Sequence, residues 1–399
     1  MSSYIPYHLK SQNRKMIYDL FHEKKISSRA EIVRLTGISF PTVLKIVDRL
    51  LELHIITELD ELERLSGAGR RGHLLRFNPN AYMTVGVQFD GNHAFLGLVN
   101  MDGDVFSPIT LPLHLRIHDF LDNKTSPQEN QILIEQLFQI SQTIHNLHAQ
   151  TQKNGIPVLG IGIGLPCMVN LKNNSVLHIN PDSSLTEIPF SSIFPKFTDS
   201  LSLPYCLGND VNMACQGEAF LRNPIHHPSD LVYITLGAGC GAGILQKGEL
   251  WYGSSFHSGE IGHLPLFSEG TCASGAVIKL SDKINLSALQ DRFHIHLEDM
   301  PTLWKDDPKL TEEICDYLCP YLGYLFLTMH LILDIKTCVL TGPIPTALGS
   351  LLLEKTRSQL LSLHDTVPFV LESPIQPTSH LTGASVSVFQ KCFEELLNK

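Results

Sequence analysis

Three short segments carry the side chains best suited to chemistry. Cys206-Leu207-Gly208-Asn209-Asp210 sets an amide and a carboxylate just past the end of a predicted strand. Ser258-Gly259-Glu260-Ile261-Gly262-His263 adds a second carboxylate and an imidazole. Such groups bind the hydroxyls of a sugar through charge-assisted hydrogen bonds. The run from Ile234 to Ile244 places Gly237, Gly239 and Gly241 in a turn whose bare backbone N–H groups can cradle a phosphate. The same glycines would serve a plain hairpin. Each acid or imidazole alone also fits a surface acid or a satisfied histidine. The chemical reading therefore rests on Asp210, Glu260 and His263 converging on one cleft.

The elements that would position them alternate between strand and helix. Val85 to Phe89 and Ala94 to Val99 read as buried strands, with Asn100-Met101-Asp102-Gly103-Asp104 as a hairpin-type turn after the second. Leu133, Leu137, Ile140, Ile144 and Leu147 recur at helical spacing. Val158 to Leu165 is another apolar strand, with glycines at 160, 162 and 164. This alternation predicts an α/β body. It begins near Asn78-Pro79, and the chain shows no short-period repeat or low-complexity tract.

At 399 residues the chain can hold two or three domains, and 43% hydrophobic with 18% charged residues describes a soluble globular protein. No stretch is long and apolar enough to span a membrane, and the N-terminus lacks a signal peptide's apolar region. The nine cysteines form no CxxC pair; Cys315 and Cys319 share a helix face and read as packing. Reduced thiols and a cytoplasmic location are expected.

Residues 27–72 have the pattern of a winged helix-turn-helix. Met16, Ile17, Leu20 and Phe21 outline a first helix. Ser28 with Glu31 suggests a capping box on a short helix carrying Ala30, Val33 and Leu35. Gly37 supplies the turn, Ser39 an N-cap, and Pro41 a first-turn proline. Val43, Ile46, Val47, Leu50 and Leu51 then face inward. Ser39, Phe40, Thr42, Lys45 and Arg49 are left for the major groove. Ile55-Ile56-Thr57 and Leu74 to Phe77 read as wing strands, with Gly67, Gly69, Arg70, Arg71 and Gly72 as a tip for the minor groove. A small helical protein-interaction domain is the alternative. Charge favours DNA: residues 1–80 carry a net +4 and the remainder −14. So modest an excess predicts weak binding by one head, which a homodimer or homotetramer would offset by avidity.

In this order the motifs resemble the ROK family of repressors, open reading frames and kinases along nearly the whole chain. RAEIVRLTGIS and GAGRRGHLLRFNP resemble the head of its DNA-binding members. Asn209-Asp210 falls at the family's catalytic Asn-Asp pair, LGAGCGAG resembles its second phosphate loop, and GEIGH matches its sugar-binding motif. The resemblance implies an α/β fold: a winged helix-turn-helix at 1–80, then a two-lobed, actin-like, sugar-kinase (ribonuclease H-like) ATPase fold. The first lobe would span 81–200 and the second 201–383. The C-terminal helix, from about Ala384 to 399, would pack back on the first lobe.

Departures from the family pattern bear on activity. Kinases of the family open the body with a loop like DIGGTK; here it reads Gln88-Phe89-Asp90-Gly91-Asn92-His93. A neutral amide at 88 is a poor organiser of magnesium, and Asp90 is expected to point the other way. Gly342-Pro343 replaces a late glycine pair, and Cys167 replaces a glycine beside the sugar. After His263 the CxCGxxGC zinc loop is missing. Cys272 alone cannot complete a structural zinc site, so no zinc and no other cofactor is expected. Glu269 is the candidate for the family's extra sugar-binding Glu.

The resemblance thus implies a sugar-responsive DNA-binding regulator, expected to act as a repressor. Its body would hold a small sugar or sugar derivative through Asn209, Asp210, Glu260 and His263 without phosphorylating it. Its partners would be operator DNA and copies of itself, with no membrane. The alternative is an active ATP-dependent sugar kinase bearing a DNA-binding head, with Asp210 as its general base.

Overall fold

The computed structural model describes residues 4–59, 74–90, 93–113, 126–179, 184–222, 230–266, 278–295, 302–363, 370–372 and 378–398. Arg70 and Arg71, Glu269 and Cys272 lie outside them.

The chain opens with helix α1 (Tyr4–Lys24), strand β1 (Ile26–Ser28), α2 (Arg29–Thr36) and α3 (Phe40–Glu52). Strands β2 (Ile56–Glu58) and β3 (Leu74–Phe77) follow, in the sheet order β1-β3-β2. β1 was not foreseen; it pairs antiparallel with β3 as the third strand of this sheet. The Ser28 hydroxyl accepts the Glu31 N–H at 3.2 Å and so caps α2. The expected box is only half formed, because the Glu31 carboxylate takes Ser27 and Lys24 instead. Gly37 stands at φ 69°, and the Thr36 hydroxyl receives the Ile38 N–H, which together close the turn between α2 and α3. Ile17, Phe21, Ile32, Val43, Ile46, Val47 and Leu50 form the buried face. Ile32 is the buried residue of α2, while Leu35 is exposed.

The two five-stranded sheets of the body share one design. The first runs β4 (Met83–Asp90), β5 (His93–Asn100), β6 (Val105–Pro112), β7 (Val158–Leu165) and β8 (Tyr205–Asn209). Its order is β6-β5-β4-β7-β8: an antiparallel meander whose first strand is continued by two parallel ones. Helix α4 (Pro127–Lys153) makes the crossover into β7 and is capped by a full Ser126/Glu129 capping box. Leu133, Leu137, Ile140, Ile144 and Leu147 are its buried stripe. Each such burial contributes about 1.5–3 kcal/mol of transfer free energy.

The second sheet has β9 (Asp230–Leu236), β10 (Cys240–Gln246), β11 (Glu249–Leu250), β12 (Thr337–Thr341) and β13 (Val370–Glu372). Its order, β11-β10-β9-β12-β13, repeats the first. The boundary expected at 200/201 is corrected by β8, whose residues 205–209 pair parallel with β7 in the first sheet.

Helix α5 (Asp210–Arg222) leaves the first sheet and packs on the second, where its Val211 and Cys215 fill the space beside Gly243. The last helix, α6 (Ser379–Asn398), crosses back to the first sheet and begins before the expected Ala384. Leu381 lies over Gly86 and Gly97, Ala384 over Gly162 and Val388 over Gly160. α5 and α6 also meet each other closely: a Cβ on Gly217 would overlap the Ser379 carbonyl, and one on Gly383 the Met213 carbonyl. The far end of α6 enters the head, where Leu397 is buried in the core of α1–α3 with Phe389, Phe393 and Leu396 alongside. No helix among the described residues is long and apolar enough to cross a membrane.

Candidate functional site

Asn209 and Asp210 stand where β8 turns into α5. The Asn209 side chain accepts the Asn212 N–H at 3.0 Å, which caps the helix, and donates to the Cys167 carbonyl at 3.2 Å. It therefore spends much of its bonding capacity on holding the β7 exit beside the helix start. Asp210 Oδ1 accepts the Val211 N–H at 2.9 Å.

The GEIGH segment reaches the same place by docking on β10. Ala242 donates to the Gly259 carbonyl at 2.8 Å, and Gly259, at φ 92°, lies so close to Ala242 that only glycine fits. Gly262 rests against the Cys240 carbonyl. Glu260 is left exposed, with its charge felt by both Asp210 and Cys167. Asp210 and Glu260 thus converge. His263 is one short 3-10 turn further on; its N–H donates to the Glu260 carbonyl at 3.1 Å and its imidazole is exposed.

Burial pushes the Asp210 carboxyl up to about 7, with help from the nearby charges of Asp90 and Glu260, while the Val211 N–H pulls it down. The Asp90 charge corrects an expectation. Residues two apart on a strand share a face, so Asp90 lies on the face of Gln88 and not opposite it. Strand alternation was the signal that should have found it. Desolvation holds the Asp90 carboxyl above its ordinary range, opposed by His93. Cys167 joins them: burial, then Asp210 and Glu260, drive its thiol well upward, so it stays protonated.

Gln88 is buried, and its side chain lies across Gly164, with Oε1 lacking a hydrogen-bond partner. An amide there does not fit the role of a magnesium-organising carboxylate. Gly237, Gly239 and Gly241 belong to a tight hairpin between β9 and β10, not to a loop opening a helix. The Gly237 N–H bonds to the Gly239 carbonyl at 2.9 Å, and the Gly237 carbonyl accepts the Leu286 N–H. Gly241 makes room for Val211. His263 is exposed, and Cys272, the other donor considered for zinc, lies outside the described residues.

In the head, Ser39, Phe40 and Lys45 are exposed and Thr42 half-buried, its hydroxyl bonded to that of Ser39 at 2.9 Å. Arg49 departs from the expected surface. Its guanidinium donates to the Leu396 carbonyl of α6 and to Glu52, both at 2.9 Å. A second junction, unforeseen in the sequence, lies at the β5–β6 turn. Buried His22 reaches the Met101 carbonyl at 3.1 Å and Asp102 at 2.9 Å, and Lys25 reaches Asp102 at 2.6 Å. Burial works against the Asp102 charge, but these two partners hold its carboxyl below the usual range. The His22 ring also meets Phe220 of α5, their centroids 5.3 Å apart.

The sequence profile of the ROK family matches residues 121–390. The chain belongs to the ROK family. Among ROK relatives, the xylose repressor of Caldicellulosiruptor bescii is 26% identical over 308 residues, 76% of this chain and 72% of that protein. A crystal structure of a ROK family transcriptional regulator, a homologue of the E. coli Mlc protein, superposes with a TM-score of 0.71 at 21% identity, covering 98% of both chains. The ROK hexokinase of Thermus thermophilus superposes with a TM-score of 0.54 at 20% identity, covering 99% of its own chain and 78% of this one. At 98% coverage the regulator's fold includes the head as well as the ROK body.

Proposed function

We propose that this ROK protein is a sugar-responsive, DNA-binding transcriptional repressor whose body binds its sugar without phosphorylating it. The observation that carries the reading is the continuous packing from site to head. α5 begins with Asp210 and in its last turn sets Phe220 against His22 of the head. It is locked through Gly217 and Gly383 to α6, whose Leu396 carbonyl holds Arg49 on α3. A sugar that prefers one position of α5 would bias the position of α3 by that preference and no more.

The sugar would lie between the two sheets. Asp210 and Glu260 would accept hydroxyl protons, Asn209 would hold the frame and contribute its remaining amide N–H, and His263 would serve at the rim. Ser39, Phe40, Thr42 and Lys45 would meet DNA, with Arg70 and Arg71 at the wing tip. Arg49 would act as a positioning residue between α3 and α6. The repressor named among the relatives supports this reading, as does the whole-chain likeness to a regulator. A self-associated state would supply two heads to a two-fold site.

The observation that favours a kinase is Asp210, whose carboxyl near neutrality suits a general base. Gln88 weighs against it, because phosphoryl transfer needs ordered metal and phosphate.

A thermal-shift screen of sugars tests the proposal. At least one sugar should raise the melting temperature of the wild type and fail to raise that of Glu260→Ala. If no sugar stabilises the protein in a Glu260-dependent way, the sensor reading falls.

A further inference from the structure

We infer that the β5–β6 turn is the seat that sets the angle of the head on the body, and that Asp102 in this turn is a positioning residue for DNA binding. The inference rests on the DNA-binding half of the reading above and is independent of any sugar.

Asn100-Met101-Asp102-Gly103-Asp104 reads in the sequence as a hairpin-type turn. In the fold its residues reach well beyond the hairpin. Met101 is buried and belongs to the core of the head. Its carbonyl and the Asp102 carboxylate lie 3.1 and 2.9 Å from Nε2 of His22 on α1. Both are acceptors, so Nε2 carries the proton and donates to them. Lys25, just past α1, reaches the same Asp102 oxygen at 2.6 Å and lies over the Phe77 ring. Lys25 is half exposed, and its pair adds little by itself. His22 is 1% exposed, and a buried donor that loses its acceptor has no water to replace it.

One residue further on, the turn faces the body. The Gly103 carbonyl accepts the Thr382 hydroxyl of α6 at 2.9 Å. Gly103 stands at φ 84°, and a Cβ there would overlap the Thr382 methyl and the Phe220 ring of α5. Three consecutive residues therefore seat α1 of the head on one side and α5 and α6 of the body on the other. The seat is braced from within. Asn100 is buried; its Oδ1 accepts the N–H groups of Asp102 and Asp104 at 3.0 and 2.9 Å. Its Nδ2 donates to Asn80 and to the Asp104 carboxylate, both at 3.1 Å. A turn bonded in this way moves as one piece, so a shift of α5 or α6 is passed to α1 and not absorbed.

Asp102→Ala removes the tie to the head and leaves the hairpin's own bonds, which use the Asn100 side chain and the backbone of residue 102. Thr382→Val removes the tie to the body and answers the same question should Asp102→Ala not fold. The full chain would carry spin labels on unnatural residues at Arg34 in the head and Lys153 at the end of α4, both exposed. Dilution into unlabelled protein of the same sequence restricts the signal to distances within one chain. Pulsed electron resonance then reads the head–body distance distribution. Anisotropy reads affinity for a fragment that the wild type selects from random-sequence DNA. The wild type should give one narrow distribution. Each variant should broaden or shift it and bind the fragment about tenfold more weakly, as for a head that is competent about a tenth of the time. A role in stability alone would lower the melting temperature and leave the distribution narrow. An unchanged distribution or an unchanged affinity in the folded variant overturns the inference and leaves the DNA-binding reading standing. A wild type that selects no DNA overturns both.

Discussion

Asp210 concentrates the chemistry of the cleft in one group. Its carboxyl, raised to about 7, is protonated more readily in the folded protein than in the unfolded chain. An acid raised by folding contributes stability that is fully present below its unfolded pKa and is lost as pH rises through its folded pKa. Here that window runs from about 4 to about 7. Asp210→Asn should therefore be more stable than wild type at pH 8, by about 4 kcal/mol, and by less than half of that at pH 5. Urea unfolding at the two pH values checks this; an equal difference at both would mean that the buried charge is not the cause. Asp210 and Glu260 were legible in the sequence because their motifs are short and continuous. Asp90 was misread by ignoring that alternation returns every second residue to one face. Cys167 was noticed as a substitution, but its place between two acids depends on how β7 and β8 end side by side.

Among the elements, α5 and α6 matter most, and little in the sequence announces them. Their contact is made of absences: Gly217 and Gly383 let two backbones approach where any side chain would intrude. The strand glycines at 86, 97, 160 and 162 do the same for α6, and periodicity reports only that those strands are apolar. Gly217→Ala should cost about 1–3 kcal/mol, since the added methyl meets backbone and not a movable side chain. A change within 0.5 kcal/mol, read by urea unfolding, would show that the helices can separate freely and could not act as one body. The phosphate-loop resemblance of Gly237 to Gly241 and the plain hairpin were both open from the residues. Pairing of Leu236 with Cys240 shows a hairpin, whose turn can still present N–H groups to a phosphate. The repeated sheet order of the two lobes escaped sequence inspection because it is a likeness of topology, carried by different residues in each copy.

At the scale of the whole molecule, a head of net +4 rides on a body of net −14. The two are joined by a shared core and not by a bare linker, because the end of α6 lies among the helices of the head. The two-part organisation was legible from charge and motif. The shared core was not, since it joins residues more than 300 positions apart, such as Arg49 and Leu396. The account's central claim is that occupancy of the cleft sets DNA affinity through this core. The direct measurement is DNA affinity by fluorescence anisotropy, on a fragment selected from random-sequence DNA, with and without a saturating sugar that stabilises the protein. The sugar should weaken DNA binding by about tenfold or more, a coupling of about 1.4 kcal/mol. The change should vanish in Glu260→Ala and shrink in Arg49→Ala. A wild type that binds the sugar and holds its DNA with unchanged affinity would contradict the account.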